Sequence, residues 1–350
     1  MNVLTVQGSH YSCGQQIGTN LKEPIHGFLA GMKDHPPKHM KSWEDFVEAS
    51  VPYRTITEQH FPLMIEELRG VADGVHIAYE DIFATLVEEL WDEPSDTAGK
   101  ACSDIIITPP RSSAVLIGHN NDLANEFADI IAPILRVYED GTSLFTVGPC
   151  GYYVSVGVNS AGLVLTGNQL SPNDNRVGVP RAILARAILT AKTMAEAVSI
   201  ATFPQRASSY NNILCTKDEV MNVEASATTH AFLVPVNNVL VHTNHFVAPE
   251  MLRFEAITQF SEYYHSSLAC YQSLTEQAST LTGTVTTELL KQMLSSHYPE
   301  KTGSKNSVCF HAETEKTVFS IIIDMGTGVV ELAMGNPCVV SYEKVWQIPQ

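Results

Sequence analysis

The residue of this sequence best placed to do chemistry is a thiol at a boundary. Cys102 stands where the polar run DEPSDTAGKA (92–101) gives way to the apolar run IIIT, with the small Ala101 before it and Ser103-Asp104 after it. A cysteine becomes a nucleophile when a neighbouring base or charge favours its thiolate, and it is otherwise a small hydrophobe suited to a core. Residue type alone leaves both readings open. His242 and His245 in HTNHF form a close pair of imidazoles. Either could serve Cys102 in a Cys/His thiol enzyme, but no third ligand stands at a recognised metal spacing, and ring N–H groups bonded to local backbone are the simpler reading of the pair. The seven cysteines (13, 102, 150, 215, 270, 309, 338) are odd in number and include no CxxC. They indicate neither a disulfide framework nor a zinc knuckle, and reduced thiols are expected. GxxxxGK[ST], a GxGxxG after a strand, HExxH and GxSxG are all missing, so the sequence calls for no metal and no cofactor.

The elements that must position Cys102 change character at that same boundary. From residue 11 to about 91 apolar residues recur at helical spacing: Ile17, Leu21, Ile25, Phe28, Met32; then Phe61, Met64, Ile65, Leu68, Val71; then Ile82, Phe83, Leu86, Val87, Leu90. Gly70 and Gly74 punctuate the second stripe, and Pro36-Pro37 divide the first from a helix near 43–51. Residues 92–101 read as an exposed loop. Beyond it, CSDIIIT, 114–118, 131–138 and 144–147 are short β-branched strands, the last two joined by Asp140-Gly141, and a second hairpin turns at Asn159-Ser160-Ala161-Gly162. Helices are expected at 180–190 and 193–201, strands over 211–242, helix again over 250–295, and closing strands SVCF, TVFSIII and VVELAM over 307–350. Hairpins without βαβ spacing predict an α+β layered fold with mostly antiparallel sheets.

The chain has 350 residues, 44% apolar, with 21 Lys+Arg against 38 Asp+Glu and a formal charge of −17. That excludes a disordered chain and argues against general binding to nucleic acid or anionic membrane, both of which need basic surface. The N-terminus MNVLTVQGSHYS lacks a basic stretch followed by an apolar one, and no segment approaches the roughly 18 apolar residues of a membrane span. A cytoplasmic protein is expected.

Read in order, several strings resemble one family. QGSHYSCGQQIG, IEELRGVADG, EDIFATLVEEL, GHNND, VGVNSAGLVLTGNQL, GVPRAILARAIL, VHTNHF, SVCFH and GNPC match the acyl-coenzyme A:6-aminopenicillanic acid acyltransferase (isopenicillin N acyltransferase) family, and Cys102-Ser103 falls on its processed Cys-Thr or Cys-Ser. The family is a cysteine branch of the N-terminal nucleophile (Ntn) hydrolases. The combination, more than any one string, carries the resemblance, which covers nearly the whole chain.

The resemblance implies an αββα four-layer sandwich and a zymogen cut autocatalytically between Ala101 and Cys102. It yields a helical segment 1–101 and a nucleophile-bearing segment 102–350, held together as a heterodimer. The new α-amine of Cys102, with an ordinary pKa of about 7.7–8.0, would serve as base for its own thiol, so that no histidine is needed. By the same resemblance Asp122 orients that amine, Asn244 and Asn168 stabilise the oxyanion, and His119, Asn121 and Arg186 lie on the substrate side. The implied activity is hydrolysis of a linear amide, or acyl transfer from an amide or acyl-CoA. The alternative is an unprocessed, catalytically silent binding protein of the same fold. Two departures stand out: the family's Asn-Trp-Asp reads Asn120-Asn121-Asp122, and Thr314 replaces an arginine of the penicillin-forming member. Both argue against a penicillin substrate.

Overall fold

The computed structural model describes residues 2–91 and 101–349. After strand β1 (Leu4–Gly8) the chain enters five helices: α1 (His10–Asn20), α2 (Lys22–Asp34), α3 (Trp43–His60), α4 (Pro62–Val75) and α5 (Tyr79–Ala84). Ser9 caps α1 by accepting from the Ser12 N–H at 3.1 Å, Ser42 caps α3 in the same way, and Pro62 opens α4 where a missing N–H costs nothing. Gly70 and Gly74 do not punctuate α4 but lie inside it, where it crosses α1. A Cβ on Gly70 would sit 2.1 Å from the Tyr11 carbonyl oxygen, and one on Gly14 2.0 Å from that of Glu67, so glycine is what lets the two backbones touch.

The strand-rich remainder runs β2 (Ala101–Ile107), β3 (Leu116–Ala124), β4 (Ile131–Tyr138), β5 (Ser143–Pro149), β6 (Val156–Asn159), β7 (Val164–Asn168), α6 (Arg181–Ile188), α7 (Met194–Ala201), β8 (Asn211–Cys215), β9 (Val220–Ala225), β10 (His230–Leu233) and β11 (Val239–His242). Then come α8 (Glu262–Thr280), α9 (Thr287–Leu294), β12 (Glu315–Asp324), β13 (Val329–Ala333) and β14 (Glu343–Gln347). Eight strands form one sheet in the order β1-β4-β5-β6-β7-β8-β9-β10, and six form another in the order β11-β2-β3-β12-β13-β14. All pairings are antiparallel except β1 with β4, and through β1 the helical N-terminal segment is woven into the larger sheet.

Three apolar layers define the stack. Ile106, Ile117 and Phe319 of the smaller sheet meet Phe145, Val158 and Ile213 of the larger one between the sheets. Ile17, Val71, Ile82 and Ile183 cover the outside of the larger sheet, and Leu274, Leu290 and Leu294 cover Ile105, Ile107 and Ile322 on the outside of the smaller one. Helix, sheet, sheet, helix is the expected αββα sandwich.

Both predicted hairpins form, as β4–β5 and β6–β7. Two expectations need correction. SVCF is not a strand, because its main chain is drawn into the connection between α9 and β12. The single helical stretch 250–295 divides into a short 3-10 turn at Leu252–Phe254, then α8 and α9, each restarted by a hydroxyl cap from Ser261 or Thr286. The expected loop at 92–101 lies outside the described residues up to position 100, and Ala101 already belongs to β2.

Candidate active site

Strand β3 carries the string GHNND in the middle of the smaller sheet, paired with β2 on one side and β12 on the other. Polar residues that would normally end a strand are thereby forced indoors. The register places Cys102 opposite Asn121, Ala101 opposite Asp122 and Asp104 opposite His119. With a side-chain period of two, Cys102, Asp104 and Ile106 share the face turned to the space between the sheets, along with Asn121 and His119.

Cys102 is 6% exposed, and side-chain amides address it twice. Asn121 Nδ2 donates to its Sγ at 3.4 Å, and its own backbone N–H donates to Asn244 Oδ1 at 2.6 Å. Asn244 is fixed in turn: its N–H donates to Ser267 Oγ at 2.8 Å and its Nδ2 to the Gln169 carbonyl at 3.1 Å. Asp122 accepts from Thr317 Oγ1 at 2.6 Å through one carboxylate oxygen. Its other oxygen, Oδ2, is buried with no hydrogen-bond partner among the described residues, as are Asn121 Oδ1, Asp104 Oδ1 and His119 Nε2. Buried polar atoms without partners are rare in native proteins, and here several stand around one thiol.

Burial, followed by the charges of Asp122 and Asp104, raises the Cys102 thiol well above its ordinary value, against the backbone N–H groups of Asp122 and Gln169, which favour the thiolate. Burial likewise raises the Asp122 carboxyl well above the usual carboxylate range, with the Thr317 bond opposing. Half-buried Tyr263 lies near enough to Cys102 that, after desolvation, that charge is the next cause raising its hydroxyl. As an intact chain, then, the site holds its nucleophile protonated.

Behind Cys102 a buried polar chain links the two sheets. His119 Nδ1 donates to Asp104 Oδ2 at 3.0 Å, and Asn168 Nδ2 donates to the same oxygen at 2.9 Å. Asn168 Oδ1 lies 2.9 Å from His242 Nδ1, and His242 Nε2 donates to Glu224 Oε1 at 2.8 Å. Three candidates take their hydrogen bonds within this chain. Asn168 faces the space between the sheets from β7 and has its amide engaged by Asp104, Asn211 and His242. His119 supports Asp104. His242 has both ring nitrogens engaged in the chain and His245 Nδ1 lies 2.8 Å from Ser267 Oγ, and among the described residues neither ring hydrogen-bonds the Cys102 sulfur.

Arg186 is a correction. It lies on α6, on the outer side of the larger sheet, where its Nη2 donates to Glu67 Oε2 at 2.6 Å and also to the Tyr138 hydroxyl. Arg136 Nε donates to the other oxygen of Glu67 at 3.0 Å. The β-sheet stands between this cluster and Cys102, so Arg186 cannot line the same pocket. Sequence reading missed Thr317, Gln169 and Asp104 as parts of the site. Only Asp104, two residues from Cys102 and thus on its face of a strand, carried a signal that could have found it. It also missed a group of two cysteines and two histidines, His297, Cys309, His311 and Cys338, where no metal was expected.

The model of the acyl-coenzyme A:6-aminopenicillanic acid acyl-transferase family matches residues 110–338, more than half of the chain. The protein belongs to this family. The matched span contains Asp122 and Asn244 but starts after Cys102, whose place in the site comes from geometry. The beta-alanyl-dopamine/carcinine hydrolase of Drosophila melanogaster is 25% identical over 221 residues, which cover 57% of this chain and 56% of that relative, so the match spans little more than half of the relative's length. Two structures of conjugated bile acid hydrolase from Clostridium perfringens superpose at 8% and 10% identity with TM-scores of 0.44 and 0.46, covering 69% and 71% of this chain and 92% and 98% of theirs. Penicillin V acylase from Agrobacterium tumefaciens gives 10% identity and a TM-score of 0.36 over 67% of this chain and 82% of its own. No helix among the described residues is long and apolar enough to cross a membrane.

Proposed function

We propose that the protein is a self-processing cysteine amidohydrolase that cleaves the Ala101–Cys102 bond and then uses Cys102 on a linear amide. The observation that carries this reading is the double hold on Cys102, with Asn121 on its sulfur and Asn244 on its main-chain nitrogen. A core cysteine needs neither contact. In processing, Sγ adds to the Ala101 carbonyl carbon, the C–N bond breaks, and the acyl group passes to sulfur while the nitrogen becomes an amine. Water then hydrolyses the thioester, returning a free thiol and leaving a carboxylate on Ala101.

Asp122, across the ladder from Ala101 and with one oxygen unpartnered, is suited to hold the resulting ammonium. In turnover the amine takes the thiol proton, the thiolate adds to the substrate carbonyl, and the Asn121 and Asn244 amides supply the N–H groups that an oxyanion requires. The leaving amine departs with the proton returned by the ammonium, and water resolves the acyl-enzyme. Water rather than a second amine is proposed because a chain of net charge −17 repels polyanionic coenzyme A, and because the Drosophila relative is a hydrolase. The segments 1–101 and 102–350 stay associated through the helical layer packed on the larger sheet and the β1–β4 pairing. Seven free cysteines suit a reducing cytoplasm.

A denaturing gel of purified protein is expected to show two fragments, the larger beginning CSDIII, and a Cys102→Ala variant one. Incubation with a panel of N-acyl amines and acyl-CoA thioesters, read by mass spectrometry, is expected to leave an acyl adduct on Cys102 from an amide. A single stable wild-type band with no adduct would instead identify the silent binding protein.

A further inference from the structure

We propose that His297, Cys309, His311 and Cys338 form a structural zinc site that pins the loop bonded to Thr317, the hydroxyl that holds Asp122. The four side chains come from three places: His297 just beyond α9, Cys309 and His311 from the connection before β12, and Cys338 from the loop after β13. Their ligand atoms all lie within 4.8 Å of one another. His311 Nε2 is 3.3 Å from His297 Nε2, 3.5 Å from Cys309 Sγ and 3.4 Å from Cys338 Sγ. A tetrahedral zinc with bonds of about 2.0–2.1 Å to nitrogen and about 2.3 Å to sulfur puts its ligands about 3.3–3.8 Å apart.

Hydrogen bonding does not account for the cluster. One imidazole nitrogen either donates a single proton or accepts through a single lone pair, yet His311 Nε2 has three ligand-type atoms at these distances and Asn336 Nδ2 at 3.3 Å besides. A shared cation satisfies all four side chains together. Two thiolates and two imidazoles with no carboxylate in the group are the soft, tetrahedral set that selects zinc. Binding Zn²⁺ releases the two thiol protons to solvent and leaves a neutral centre. Asn336 Nδ2 lies 3.6 Å from Cys309 Sγ as a donor to the thiolate and gives a second hydrogen bond to the Phe310 carbonyl at 2.8 Å.

The position of Phe310 gives the site its use. Clamped between two ligands, it donates its N–H to Thr317 Oγ1 at 2.9 Å, and Thr317 Oγ1 donates to Asp122 Oδ1 at 2.6 Å. The stretch 299–306 before Cys309 has no helix or strand to hold it. Zinc would thus be the fixed point of a relay ending at the catalytic strand. Only this last link rests on the function proposed for Asp122.

The test is the metal content of the full-length protein purified under reducing conditions, with zinc added and excess removed. One zinc per chain is expected, lost in Cys338→Ser and His297→Ala, and bound about 10- to 100-fold more weakly in Asn336→Ala. Cobalt in the wild-type site should give intense visible bands of tetrahedral geometry and thiolate charge-transfer bands in the near ultraviolet, and this readout needs no variant to fold. Absence of both zinc and these bands, zinc that persists undiminished in both ligand variants, or a Cys309–Cys338 disulfide in protein isolated without reductant would each overturn the site. None of these readouts involves turnover, so they stand or fall separately from the amidohydrolase reading.

Discussion

Asn244 Oδ1 accepts the backbone N–H of Cys102 at 2.6 Å, across 142 residues of sequence. The bond fixes the one nitrogen that processing would convert from amide to amine, and it fixes it from a loop that Ser267 and Gln169 hold in place. Removing it should disorganise the reacting atoms while leaving the core intact. In Asn244→Ala both the appearance of the 102–350 fragment and the kcat of already processed enzyme should fall about 10²- to 10³-fold, the range for loss of one oxyanion donor. Time-resolved gels and steady-state kinetics measure the two. Processing at the wild-type rate would place Asn244 outside the reaction.

Asp122 offers a prediction with a sign. A carboxylate beside an α-ammonium favours the charged amine and raises its pKa. Asp122→Asn removes that charge, so in any fraction of the variant that is processed the acidic limb of the kcat/KM profile should move to lower pH, with a lower plateau. An unmoved limb would mean that the titrating base is not the Cys102 amine. Thr317→Val separates positioning from charge. It leaves Asp122 Oδ1 and the Phe310 N–H without partners, costs about 1–3 kcal/mol in urea unfolding and slows processing, whereas Thr317→Ser keeps the hydroxyl and should restore both.

How much of this was written in the sequence differs between residues for physical reasons. The change from helical to strand period around 92–101 was legible because it reflects local burial, and the hairpins at Asp140-Gly141 and Asn159–Gly162 because turn geometry restricts residue type. Gly70 and Gly74 misled as punctuation, since their need for glycine comes from α1, more than fifty residues away, and not from their own helix. Cys102 stood out by its place at the boundary but gained a role only through resemblance, as did Asp122 and Asn244, and the register of β2 with β3 together with the Asn244 bond to Cys102 is what turns those separate strings into one site. Arg186 was misplaced because a buried arginine looks the same in sequence whether it meets a substrate or a structural glutamate. The metal-type cluster was hidden by its spacing: Cys309 and His311 are close in sequence, but Cys338 lies 27 residues beyond His311.

His245 gives acid sensitivity that can be isolated. Burial, then the neighbouring His242, pushes its pKa down from 6.5 to about 4, against the carboxylate of Glu224. The unfolded chain therefore takes up a proton before the folded one. The contribution of His245 is complete above pH 6.5, declines as pH falls toward about 4 and is flat below, a loss of up to about 3 kcal/mol. His245→Asn should flatten that part of the stability profile relative to wild type in urea titrations at a series of pH values. Parallel profiles would show that His245 takes up its proton equally in the folded and unfolded chains.

Glu67 decides whether the Arg136–Glu67–Arg186 cluster is scaffold or site. Burial alone would raise its carboxyl, yet the two guanidiniums outweigh burial and hold it well below the usual carboxylate range. All three residues are at most 5% exposed, so water cannot replace a lost partner. Glu67→Gln keeps the shape and removes the charge, leaving two buried cations uncompensated, and should cost about 3–5 kcal/mol in urea unfolding. Because the larger sheet separates the cluster from Cys102, the folded fraction of Glu67→Gln should process at the wild-type rate and show an unchanged KM, as should Arg186→Met. A KM that rises in Arg186→Met while the unfolding midpoint stays fixed would return Arg186 to the substrate.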